Sequence, residues 1–367
     1  MGRCTRFRLV PLAAGVAGLL AGCALFVGQP TTVPGPGRLD VPQPTATQIG
    51  VGGINPNPSA PRINQFVAQV NPPGPRAGVN PYGWLENVHS ARTRHWILVE
   101  DKEAATALAA IPQRAWIRGR LAQLQGGGSG GVAGDVVVEH AFYVGPDGAR
   151  LPMEIAHRRD QPRDGNQPAL LTVYRSTRRP EGRLLAPFVL VWLEMGGVYA
   201  RAEVRDGLGS VVAPRGAATL PDRSIAISDL FAAGQALIDR HYTRRARLGI
   251  YGRGFAGLMA GTAVTLRPDF FGAALPTGTW QQYREIATGN CFPPTLITTA
   301  EDDGNIRPWE GYELVAVLQA KQVCGHRPIL LRVESDAGPG EPSSVGRESA
   351  ADELAFAAKW LGAQPAG

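Results

Sequence analysis

Histidine is scarce and unevenly placed. Six occur in 367 residues, His89, His95, His140, His157, His241 and His326, and none follows His326. No two stand at metal-ligand spacing on a helix, and neither Cys291 nor Cys324, the latter two residues before His326, has the further cysteines or histidines that would complete a ligand set. Zinc-type sites need such clusters, so we expect no metal and no cofactor. Charge of one sign is also lacking: 37 basic residues face 31 acidic ones for a net +6, and removing Arg3, Arg6 and Arg8 with a leader takes three from that excess. Nucleic-acid binders concentrate basic residues on one face, so no nucleic-acid partner is expected. The apolar run over residues 9–20 is too short to span a bilayer comfortably. At 44% hydrophobic, wholesale disorder is excluded. The 46 glycines and 31 prolines show no period of three, which excludes a collagen-like chain and sends them to linkers and turns.

Three arginines, the short apolar run and Leu20-Ala21-Gly22-Cys23 follow the layout of a secretory signal. The last four residues resemble a bacterial lipobox, which implies removal of residues 1–22 and lipid on Cys23. Acyl chains would then hold the protein to a membrane, each buried methylene contributing roughly 0.8 kcal/mol. Ala24 resembles an outer-membrane sorting residue, so the expected location is the outer membrane, facing the periplasm. Cys4 would leave with the signal, and Cys291 and Cys324 remain. In an oxidising compartment such a pair can form a disulfide, provided the Cα atoms come within about 4.4–6.8 Å.

Residues 23–79 form a Pro/Gly-rich tether with few apolar anchors. Over 80–125 apolar and aromatic residues recur at helical spacing, through Trp84, Leu85, Trp96, Leu98, Trp116, Ile117, Leu121 and Leu124, predicting a helical arm of two or three helices. Residues 126–134 are a Gly-rich connector. From 135 to 362 strand and helix patterns alternate. Strands are expected at 136–143 and 151–158, joined by the turn Gly145-Pro146-Asp147-Gly148, and at 169–174, 198–204, 247–251, 272–275, 295–299 and 329–333. Helices are expected at 184–194, 225–240, 256–266, 310–320 and 349–360. Strands separated by helices imply parallel pairing, so the fold class is α/β, a doubly wound, mostly parallel sheet preceded by the arm.

Several segments, in order, resemble the prolyl oligopeptidase family. Asn80-Pro81-Tyr82-Gly83-Trp84-Leu85-Glu86 is similar to D-P-Y-x-W-L-E, and Asp147-Gly148 through Leu151-Pro152-Met153 to D-G-x-x-I-P-M. Met195-Gly196-Gly197-Val198 with Val204-Arg205 resembles M-G-G-V…I-R-G-G. Residues 267–274 resemble R-P-D-L-F-G-A-A. The resemblance implies an α/β-hydrolase domain of serine peptidase type. The family's β-propeller, which filters peptides by size, has no counterpart, since only the connector separates arm from domain.

In an α/β-hydrolase the nucleophile stands in a strand–turn–helix elbow, followed along the chain by the acid and then the histidine. The family's G-G-S-N-G-G-L-L corresponds to Gly252-Arg253-Gly254-Phe255-Ala256-Gly257-Leu258-Met259, so Gly254 occupies the serine position. Glycine has no side chain to attack a carbonyl. Within Glu301-Asp302-Asp303, Asp303 aligns with the triad acid, and Asn305 replaces the arginine that follows it. Ala337-Gly338-Pro339-Gly340 aligns with A-G-H-G, placing Pro339 where the base should be. Tyr174 matches an oxyanion donor. A general base must reach the nucleophile's proton within hydrogen-bond distance, and no histidine follows the final expected strand.

Two other motifs match known patterns without their structural context. Gly127-Gly128-Ser129-Gly130-Gly131 satisfies G-x-S-x-G but lacks a strand before it and a helix after it. Gly252-x-Gly254-x-x-Gly257 satisfies the dinucleotide fingerprint, but the next strand ends in Ala274-Leu275-Pro276-Thr277 without the acidic partner. The expected function is therefore that of an envelope-anchored peptidase homologue, catalytically inactive, binding a peptide or protein in its cleft. The alternative is an active serine peptidase or esterase using a different hydroxyl, such as Ser176 or Ser210.

Overall fold

Branched and aromatic residues dominate β1 (Val136–Val144), and β2 (Arg150–Arg158) returns beside it, antiparallel, with Val144 opposite Arg150. The turn between them closes through Gly145 N–H to Ala149 O at 2.8 Å, with Gly148 at a φ of 84°. In this computed structural model the described residues are 80–126, 135–175, 184–205, 224–278, 290–300, 307–334 and 342–365. Cys23, Ser176, Ser210, Asp303 and Pro339, with the tether and most of the connector, lie outside them.

The remaining elements are α1 (Ala91–Ala109), α2 (Gln113–Gln125), β3 (Ala169–Arg175), α3 (Pro187–Glu194), β4 (Val198–Val204), α4 (Ser224–Asp239), β5 (Leu248–Arg253), α5 (Phe255–Leu266), β6 (Ala273–Thr277), β7 (Thr295–Ala300), α6 (Pro308–Lys321), β8 (Ile329–Glu334) and α7 (Pro342–Leu361). The eight strands form one sheet in the order β1-β2-β4-β3-β5-β6-β7-β8. β2 pairs antiparallel with β4, and every neighbouring pair from β4 to β8 is parallel. Alternation along the strands splits the core into two layers. Ala169, Leu171 and Val173 pack with α4, α5 and α6, while Leu170, Tyr199 and Leu275 pack with α2, α3 and α7. The expected α/β-hydrolase fold, a mixed eight-stranded sheet with helices on both faces, is the one observed.

Element ends depart from expectation where local chemistry overrides periodicity. Arg247 belongs to a 3₁₀ turn, Arg245–Arg247, so β5 begins at Leu248 and continues past Tyr251 to Arg253. α6 begins at Pro308 because proline lacks only an N–H that the first helical turn leaves unpaired anyway. α7 begins at Pro342; its first turns are polar and offer no apolar period from which to read a helix.

The arm completes the domain. α1 lies along β8, the outermost strand, and contributes Trp96 and Ile97 to one layer and Ala104 and Leu108 to the other. Ser90 caps it, its hydroxyl accepting from Thr93 N–H at 3.0 Å. Cys291 and Cys324 form a disulfide with a Cα separation of 5.1 Å, tying the entry to β7 to the connection between α6 and β8. Gln322 braces it, accepting from the N–H groups of Phe292 and Cys324 and donating to the carbonyls of Phe292 and Arg327. Among the described residues no helix is long and apolar enough to cross a membrane.

Candidate active site

The parallel strands deliver their following segments to one edge of the sheet, which is where this architecture places ligands. At that edge β5 turns sharply into α5 through Gly254, at φ 58° and ψ −118°. L-residues rarely adopt such a backbone, and a nucleophile elbow requires it. Gly254 N–H donates to Thr277 O at 3.0 Å and Gly254 O accepts from Leu258 N–H at 2.9 Å, which fixes the bend from both sides. The flanking glycines let the backbones approach. A Cβ on Gly252 would stand 2.3 Å from the carbonyl carbon of Ala256, and one on Gly257 would stand 2.3 Å from Thr277 O. A Cβ on Gly254 meets nothing within 4 Å. The elbow is thus built, with open space where a nucleophile would project.

Tyr174 is the penultimate residue of β3, the strand beside β5, with Leu171 opposite Ile250. The sheet therefore brings Tyr174 and Gly254 to the same edge. The adjacent Arg175 guanidinium lies 4.4 Å over the ring of Phe255, joining the end of β3 to the start of α5. Burial, reinforced by Glu203, pushes the Tyr174 phenol up to about 12, so near neutral pH it keeps its proton and donates it to the Glu203 carboxylate. Asp303 and Pro339 follow β7 and β8 in sequence but lie outside the described residues, so their positions at this edge rest on the resemblance alone.

All six histidines are described, and none is placed to serve the elbow. His140 is on β1, four strands from β5, about 19 Å at ordinary strand spacing. His157 is buried on β2 with both ring nitrogens engaged, by Glu139 Oε1 and Arg158 O, each at 2.8 Å. His241 and His326 precede β5 and β8 and so belong to the opposite edge of the sheet. His89 and His95 belong to the exposed surface of the arm.

The structure adds a feature that spacing did not reveal. Arg253, immediately before Gly254, reaches Glu353 on α7 at 3.2 Å, Ser349 at 3.3 Å and Glu334 at the end of β8 at 3.5 Å. Glu353 is buried and also accepts from the Thr277 hydroxyl at 2.9 Å. Burial raises its carboxyl above the ordinary range, against the pull of Arg253 and Thr277, and its Oε2 has no hydrogen-bond partner. Adjacent acids at 352 and 353 in an alanine-rich helix were the available signal, but the cationic partner stands a hundred residues away. This network ties the elbow to α7. Among the described residues no group of three or more acidic, histidine or cysteine side chains is placed to hold a metal ion.

Residues 186–284 match the model of the prolyl oligopeptidase family. The chain is 28% identical over 263 residues to a prolyl endopeptidase of Elizabethkingia meningoseptica, an alignment covering 62% of this chain and 37% of that protein. It is 30% identical over 222 residues to an uncharacterized peptidase of Sinorhizobium fredii, covering 51% of this chain and 31% of that one. A solved prolyl endopeptidase structure superposes with a TM-score of 0.56 at 29% identity, covering 63% of this chain and 39% of its own. Oligopeptidase B from Leishmania major gives 0.56 at 22% identity, covering 64% and 38%, a likeness of fold. The chain spans little more than a third of the length of the first of these relatives.

Proposed function

This chain carries a prolyl oligopeptidase family domain, and as a homologue of these serine peptidases we propose that it binds peptide or protein ligands at the elbow edge without hydrolysing them. The observation that carries this reading is Gly254 at the bend where a nucleophile would stand. Attack needs a nucleophile, and activating a hydroxyl needs a base within about 3 Å. Every histidine belongs to another strand, the other edge or the arm surface. The backbone at the start of α5 remains as a donor for a ligand carbonyl, joined by Tyr174 when its phenol exchanges the Glu203 carboxylate for the ligand, a role that needs no covalent step.

The envelope is the proposed setting: lipid on Cys23, with the domain held at the outer membrane facing the periplasm by the 23–79 tether. The lipobox-like Leu20-Ala21-Gly22-Cys23 supports this. Radiolabelled palmitate should enter the mature protein and be lost in Cys23→Ser; incorporation that survives the substitution contradicts the anchor. For the ligand, the full chain is incubated with proline-containing peptides and the bound fraction is read by mass spectrometry. Peptides should be recovered bound and intact. Cleaved peptides, or no binding to any member of the set, overturn the proposal.

A further inference from the structure

Away from the elbow, a buried polar contact joins the arm to the sheet. Gln319 on α6 is 8% exposed and Glu100 on α1 is 5% exposed. Gln319 Nε2 donates to Glu100 Oε2 at 2.7 Å and to Ile329 O at 3.1 Å. Both neighbours are acceptors, which fixes which end of the amide carries nitrogen. The amide oxygen is then left over: Gln319 Oε1 is fully buried and has no donor partner. An orphaned buried acceptor costs about 1–3 kcal/mol, so a native core normally supplies a donor. An ionised carboxylate cannot supply one, whereas a protonated carboxyl can.

We propose that Glu100 and Gln319 form a neutral acid–amide pair, two opposed hydrogen bonds that dock α1 on the β8 side of the domain, and that ionisation of Glu100 loosens the docking. The surrounding charges do not stabilise an ionised Glu100. On its own helix Glu103 is a like charge, and Asp101 is taken up by Arg332. On β8 the Arg332 guanidinium is shared between Asp101 and Asp352 of α7. On α6 the group that meets Glu100 is the Gln319 amide. Burial, the largest influence, lifts the Glu100 carboxyl to about 7. The proton is then held by the folded chain and released by the unfolded one between about pH 4.5 and 7. Stability from this group is present at low pH, is lost as pH rises through that window, and is level above it. The device is independent of any ligand at the elbow.

Thermal and urea unfolding of the full chain and of Glu100→Gln, from pH 5 to 8, tests it. Glutamine offers the same two hydrogen bonds at every pH. Wild type should lose on the order of a hundredfold in its folding equilibrium relative to Glu100→Gln across the window. Glu310, also lifted to about 7 by burial, cancels in the comparison. Parallel pH curves for the two proteins overturn the proposal. Should Glu100→Gln fail to fold, hydrogen exchange in wild type decides: protection of α1 amides, corrected for intrinsic rates, should fall at least tenfold from pH 5 to 8. Unchanged α1 protection contradicts it.

Discussion

Three glycines within six residues make the elbow, and they do so for different physical reasons. Gly257 is a matter of space: an added Cβ would lie 2.3 Å from Thr277 O, 2.9 Å from Gly252 O and 3.0 Å from Gly278 O, all backbone atoms unable to rotate away. Gly257→Ala should destabilise the domain by ~2–4 kcal/mol, read from urea unfolding. Gly254 is a matter of conformation: the space is open and only the positive φ resists, so Gly254→Ser should cost about 1 kcal/mol. Equal losses at the two positions would contradict this division. The spacing of these glycines was legible in the sequence because a tight bend leaves few alternatives. The Arg253–Glu353 contact was not, since nothing local marks which of many arginines meets a buried acid on a later helix. Tyr174 sits between these cases, placed by a resembling segment and brought to the elbow by the β3–β5 pairing.

At the scale of elements, the helical arm closes an exposed sheet edge. The outer side of β8 would otherwise present unpaired backbone groups, a template for aggregation. α1 covers it: Asp101 accepts from Val333 N–H at 2.9 Å and pairs with Arg332, which also reaches Asp352, itself bound by Arg114 of α2. Apolar burial of Trp96, Ile97, Leu108, Ile117 and Leu121 supplies the larger driving force. A chain lacking residues 80–125 should therefore be recovered mainly in the insoluble fraction, while Asp101→Ala stays soluble and loses about 1–2 kcal/mol on unfolding. Soluble, cooperatively folding material without the arm would show that the edge needs no cover. The helical period of this segment was legible. Its destination was not, because β8 lies more than two hundred residues further along the chain and amphipathicity names no partner.

For the whole molecule, the alternation of strands and helices was enough to specify the α/β class, and residues 135–158 announced their antiparallel hairpin through the Gly-Pro-Asp-Gly turn. Sheet order was not legible, since periodicity says nothing about which strands become neighbours. The site divides in the same way. One half, the elbow and Tyr174, is held on rigid elements; the other, Asp303 and Pro339, falls after β7 and β8 on segments outside the described residues. Among the described residues the fold holds a bend shaped for a nucleophile, a phenol on the next strand, and an Arg253–Glu353 tie in a network that includes no histidine. The central claim is that this architecture persists without hydrolysis. Its most direct test is the hydrolysis rate of a proline-containing chromogenic peptide by the purified full chain and by Gly254→Ser. Both should equal the buffer rate, because a hydroxyl without a base stays protonated. Saturable turnover by the wild-type chain would contradict the account.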